Sequence, residues 1–179
     1  MKTYLTYGFL LALASFLLTL LLFACGMQTY PVKFSLGKLI VGIAGFCIGV
    51  GFIVYGIKAR RGATPAGKGF SYGEAVGAGV LVQLVASIFG IVTTYLYFGV
   101  INPHFGDAMM QARLDKLEER GLSGEQLDAA ESMIRMLNSP LAHVAEKFIG
   151  SMIFGTIVAL IAAAFLKRAA EESVPPATS

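Results

Sequence analysis

VGAGVLVQLVASIFGIVTTYLYFGV, the run from Val76 to Val100, contains no Asp, Glu, Lys, Arg or His. A helix rises about 1.5 Å per residue, so roughly 20 apolar residues reach across the hydrocarbon of a bilayer. In water the same run would expose apolar surface on every side, because it lacks the polar stripe of an amphipathic helix. Tyr4–Phe23, Leu39–Ile57 and Phe148–Leu166 likewise contain no Asp, Glu, Lys, Arg or His. The sequence therefore predicts an all-α fold: an integral membrane four-helix bundle with spans at about residues 4–23, 39–57, 76–100 and 148–166. A single membrane domain over residues 1–172 and a disordered tail over 173–179 complete the expected organisation.

Composition points the same way. With 14% charged residues confined to short stretches, a chain of mean hydropathy +0.71 is poorly suited to a single water-facing domain. The net charge of +3 does not indicate nucleic acid, since the cations flank apolar runs, where lipid phosphates are nearer. Anionic headgroups are the expected partners of Arg60, Arg61, Lys68, Lys167 and Arg168.

Charge density sets the expected orientation. Lys58, Arg60, Arg61 and Lys68 fall in one short loop without an acid, and Lys167-Arg168 stop the last run. Short, strongly basic loops stay cytoplasmic, which puts both termini inside and Ile101–Lys147, with eight acids against five bases, outside. Leu22-Phe23-Ala24-Cys25 resembles a lipoprotein cleavage box, but Phe23 is unsuited to its position and the preceding run exceeds a signal core of about 7–15 residues. Cys25 and Cys47 lie at different depths, too far apart for a disulfide.

Gly42, Gly49 and Gly56 recur every seven residues, with Gly45 between them, giving the second span a face without side chains. Gly73, Gly77 and Gly79 in the third segment and Ser151 with Gly155 in the fourth suggest matching faces and close helix contact. Gln83, Ser87, Thr93, Thr94 and Thr156 read as interhelical hydrogen-bonding groups; no ionisable residue sits at mid-depth to couple ion movement to transport. Ser71-Tyr72-Gly73-Glu74 is a capping box, which gives Glu74 a structural role.

The outer segment is too long for a simple connector, and its periodicity predicts an extramembrane helical hairpin over about 104–138. Met110, Leu114 and Leu117 share one helix face, ended by Gly121. Ser123-Gly124-Glu125-Gln126 reads as a second capping box before Leu127, Ala130, Ile134 and Leu137. Ser139-Pro140 then serves as N-cap and first-turn proline of the last helix. His104 with Asp107 and His143 with Glu146 could face each other across the outer mouth, but neither pair is a ligand motif, and no metal site is assigned. No catalytic, cofactor or metal residue is assigned at all, and the chain reads as non-enzymatic.

Gly69-Phe70-Ser71-Tyr72-Gly73-Glu74-Ala75, Tyr95-Leu96-Tyr97-Phe98 with Ile101-Asn102-Pro103, Gly121-Leu122-Ser123 with Glu125-Gln126, and Ala162-Ala163-Ala164-Phe165-Leu166-Lys167-Arg168 together resemble the bacterial membrane family catalogued as domain of unknown function 4199. The resemblance runs from about Tyr4 to Arg168. It implies a multi-pass protein of the bacterial cytoplasmic membrane, with no assigned activity and no functional residues to transfer. The residues alone read the aromatics near Asn102 as an interfacial belt. Two functional classes follow. One is a non-enzymatic accessory or interaction component, forming a homo-oligomer or docking a membrane protein partner. The alternative is a small oligomeric transporter or channel lined by Gln83, Ser87, Thr93, Thr94 and Thr156.

Overall fold

The computed structural model describes residues 1–28, 33–65 and 67–169. The helices are α1 (Lys2–Ala24), α2 (Phe34–Gly62), α3 (Tyr72–Leu96), a π-helical turn (Tyr97–Ile101), α4 (Phe105–Glu118), α5 (Glu125–Leu137) and α6 (Pro140–Leu166). The fold is all-α, with no strand among the described residues. Four helical stretches are long and apolar enough to cross a bilayer: Lys2–Ala24, Phe34–Gly62, Tyr72–Ile101 and Leu141–Leu166, each of mean hydropathy 2.2 to 2.3. Each outruns the charge-free sequence inside it, because caps end a helix and ionisable residues do not. The expected tail at 173–179 lies outside the described residues.

The caps follow local chemistry. At the start of α3 the Ser71 hydroxyl accepts from the Glu74 amide at 3.2 Å, and the Ser71 amide donates to Glu74 Oε2 at 2.8 Å. Ser139 accepts from the Ala142 amide at 3.1 Å and Pro140 occupies the first turn of α6, as its sequence indicates. Gly121, at φ +87°, closes α4 with the amides of Gly121 and Leu122 turned back to Glu118 and Leu117. The second capping box does not form. Gly124, at φ +58°, is the N-cap of α5 and no side chain caps it. A left-handed residue between Ser123 and the helix turns that hydroxyl away from the amides it was expected to satisfy.

α3 is the central helix, packing on α1, α2 and α6, while α4 and α5 pack on each other. The core gathers at the end carrying Arg60 and Arg61, where Ile53 and Ile57 of α2 meet Ala75, Ala78 and Val82 of α3 and Ala159 and Ala163 of α6. Small residues permit this contact. A Cβ on Gly79 would stand 2.6 Å from the Ala159 Cβ, one on Gly56 2.6 Å from Val82 Cγ2, and one on Gly49 2.8 Å from Phe154 Cε1. Gly155 is likewise filled by the Gln83 side chain. Phe70 and Arg168 close this end by exchanging two backbone hydrogen bonds of 2.8 Å, and the Arg168 guanidinium donates to the carbonyls of Thr64, Pro65 and Lys68. Arg168, just past α6, is thus tied to the loop between α2 and α3.

The glycine reading needs correction at other positions. Gly42, Gly45, Gly73 and Gly77 have nothing within 4 Å of a would-be Cβ, so they make no helix contact. For Gly42 and Gly45 the reason is divergence. α2 touches α6 at Gly49, but toward its start the two helices hold Phe46 and Phe154 between them, ring centroids 5.6 Å apart.

Candidate functional site

The divergence of α2 and α6 opens a cavity of ≈ 740 Å³. A narrower one of ≈ 150 Å³ runs on toward mid-bundle, sharing Gly45, Thr93, Thr94, Lys147 and Ser151 as walls. Val41, Phe46, Phe98, Phe105 and Phe154 make the larger cavity mainly apolar, with Gln28, Thr94, Tyr97, His143, Glu146 and Lys147 as its polar insertions. A few polar groups in an apolar concavity of this size is the usual composition of a small-molecule site.

Its roof is aromatic. Tyr97 and Phe98 sit on the π turn, where the extra residue per turn redirects the chain after α3. Phe105 meets Tyr97 and Phe98 edge-on and Phe34 at a tilt, at centroid distances of 5.6, 5.5 and 5.7 Å, joining the start of α2 to the start of α4. Tyr97 is 3% exposed, so it does not belong to an interfacial belt, whereas Tyr95, two residues earlier, is exposed. The Tyr97 hydroxyl donates to Gln28 Oε1 and accepts from Asn102 Nδ2 at 3.0 Å, while Gln28 Nε2 donates to the Thr19 carbonyl at 3.1 Å. This network holds the loop after α1 over the cavity.

The narrow cavity carries a polar chain. Gln83 Nε2 donates to Ser87 Oγ at 3.1 Å, Ser87 and Ser151 share a hydrogen bond of 2.8 Å, and Ser151 donates to the Phe148 carbonyl at 3.0 Å. Of the residues expected to bond between helices, Ser87 does so, to Ser151 of α6, while Gln83 bonds within α3. Thr93 donates to the Gly90 carbonyl at 3.2 Å, but the adjacent Thr94 hydroxyl, 2% exposed, has no hydrogen-bond partner among the described residues. Of the five polar residues proposed to line a pathway, Gln83, Ser87, Thr93 and Thr94 line this cavity, and Thr156 lines neither.

The two histidine pairs do not converge. His104 and Asp107 approach to 3.9 Å with side chains 90% and 71% exposed, away from the cavity. His143 is buried, stacked on Phe98 at 4.5 Å and bonded through Nε2 to Asn138 Oδ1 at 3.0 Å. Glu146 lies 4.0 Å from His143 Nδ1 and 3.4 Å from Arg113 of α4, which ties α4 to α6. No group of three or more His, Cys, Asp or Glu comes together among the described residues. Cys25 and Cys47 are free and exposed.

Gln28, Tyr97 and Lys147 were not legible as site residues. Gln28 sits in a short loop without pattern, and a π turn leaves no periodic signature. Lys147 immediately precedes the charge-free run, so it counts in the sequence as one more loop cation. Among the described residues it has no ion-pair or hydrogen-bond partner, although its neighbour Glu146 is engaged.

Comparison with the curated proteins and with the solved structures finds no match. A family model does match, over residues 6–168, and its description is protein of unknown function (DUF4199). With that match spanning all four long apolar helices and the cavity between them, the chain belongs to the DUF4199 family.

Proposed function

We propose that the protein is a non-enzymatic accessory or interaction component of the bacterial cytoplasmic membrane, acting by binding at the end that carries α4 and α5. The asymmetry of the bundle carries this reading. Ile53, Ile57, Val82 and Ala159 are each 0% exposed and fill one half, while the opposite half holds a cavity with polar groups and a floor. A conduit needs two mouths; a binding component needs one. The non-enzymatic part rests on how the reactive side chains are used, with His143 stacked and bonded to Asn138 and the hydroxyls of Ser87 and Ser151 bonded to each other.

Orientation belongs to the same proposal. The dense cations in the last turns of α2 and at Lys68 in the loop after it support a cytoplasmic position for that end and for both termini, with Arg60, Arg61, Lys68 and Lys167 toward anionic headgroups. α4 and α5 then form an extramembrane hairpin. Met133 and Met136 are exposed on α5 and give it an apolar surface for a membrane protein partner or a second copy. A small oligomeric transporter is the second reading, favoured by the Gln83–Ser87–Ser151 chain, and it requires the filled half to part.

Two measurements test the proposal. In a Cys25→Ser, Cys47→Ser background, an impermeant thiol reagent on intact cells labels Ser132→Cys and spares Thr64→Cys; the reverse inverts the orientation. Photocrosslinking from Met133 in native membranes yields a discrete adduct with a second protein chain. Absence of any adduct, together with solute flux through reconstituted vesicles, selects the transporter.

A further inference from the structure

The strongest unexplained feature is an unpaired cation on the wall of an apolar cavity. Lys147 lines both cavities and meets no carboxylate among the described residues. Glu146, the nearest acid in sequence, is turned to Arg113 and His143. Thr94 adds an unmet requirement of its own, since Thr93 takes the Gly90 carbonyl and leaves a buried hydroxyl with no hydrogen-bond partner among the described residues. An ammonium and a hydroxyl without partners beside aromatic walls are complementary to an acid group on an apolar chain.

We propose that the cavity binds an anionic amphiphile, its acid group held by Lys147 with the Thr94 hydroxyl as an additional donor, and its chain lying between α2 and α6. The walls favour an amphiphile over a small hydrophilic anion, because beside the polar groups Phe46, Phe98, Phe105 and Phe154 present apolar surface that only a chain would cover. Access for a chain is lateral, past the exposed Val41 and Phe46 of α2. Two sources share this chemistry, a free fatty carboxylate and the phosphodiester of an acidic lipid. The inference rests on the binding reading above but not on a protein partner, so crosslinking from Met133 can fail without touching it.

The test uses the full chain in phosphatidylcholine nanodiscs doped with photoactivatable palmitic acid, phosphatidylglycerol or phosphatidylcholine. One acidic probe labels the cavity segments at residues 41–46 and 150–154 about tenfold more than the choline probe. Labelling by the carboxylate assigns a fatty acid, and labelling by the glycerol lipid assigns a headgroup. Lys147→Gln lowers the labelling about tenfold and Lys147→Arg restores it, as expected for a charge-assisted contact. Gly45→Leu, at a position where a Cβ meets open space, fills the cavity and removes the labelling while the melting temperature holds. Gly42→Leu repeats that test if Gly45→Leu fails to fold. Equal labelling by the choline probe, retention in Lys147→Gln, retention in the filled variant, or no labelling by either acidic probe overturns the proposal.

Discussion

Gly49, Gly56, Gly79 and Gly155 stand against a neighbouring helix, whereas Gly42, Gly45, Gly90 and Gly150 on the same three helices have open space where a side chain would be. The residue type is the same, and in α2 the seven-residue repeat is continuous. What differs is whether a side chain of the neighbouring helix reaches the glycine. Gly79 and Gly56 face Ala159 and Val82, Gly49 and Gly155 are filled by Phe154 and Gln83, and there the helices close. At the other end Phe46 and Phe154 stand between α2 and α6, and Phe98 and Phe105 roof the gap. A small residue therefore permits close approach without enforcing it, and the same device that packs one half makes room for a cavity in the other.

The largest effect that separates the two halves is steric. Gly155→Leu drives a branched side chain into Gln83 and costs about 3 kcal/mol or more, enough to abolish folded protein on size exclusion. Gly150→Leu meets nothing within 4 Å and leaves the melting temperature nearly unchanged. Comparable damage from both would erase the distinction.

Truncation comes next. Ile53→Ala in the filled half leaves a void and costs about 2 kcal/mol, the low end for such a change because the unfolded helix stays in lipid. Val41→Ala, on the cavity wall, costs about 0.5 kcal/mol or less, since no packed neighbour loses its contacts. Thermal unfolding in one detergent reads both. A larger loss at Val41 would show that the open half is packed after all.

The smallest contrast concerns the caps. Ser71→Ala removes a hydroxyl bonded to the Glu74 amide and costs about 1 kcal/mol. Ser123→Ala, at the other end, is silent, because no side chain caps α5. Equal losses would restore the second capping box.

Much of this architecture was legible from residues alone, for physical reasons that also mark where legibility ended. Bilayer thickness translates directly into run length, so the four long helices could be read, and Ser71, Gly121 and Ser139 act through near neighbours. Ser123 failed because Gly124 supplies a left-handed φ, a choice the sequence permits but does not impose. The amphipathic stripe reads as half-buried at Leu114, Leu117, Leu127 and Ile134, while the side chain of Leu137 lies outside what is described. The cavity was hidden because periodicity tells which face a residue occupies and says nothing of how far away the next helix stands. Gln28 meeting Tyr97 and Lys147 lining a cavity depend on that distance.

The central claim, one filled half and one open half, is tested most directly by thiol reactivity in a Cys25→Ser, Cys47→Ser background. Maleimide reacts with the thiolate, which forms only where water reaches the sulfur. Gly45→Cys lines the cavity and Ile57→Cys lies in the filled core, at a site 0% exposed. The account predicts that Gly45→Cys is modified at least about tenfold faster than Ile57→Cys in the folded protein, with the two rates converging after denaturation. Equal rates before denaturation, or faster reaction at Ile57→Cys, would contradict it.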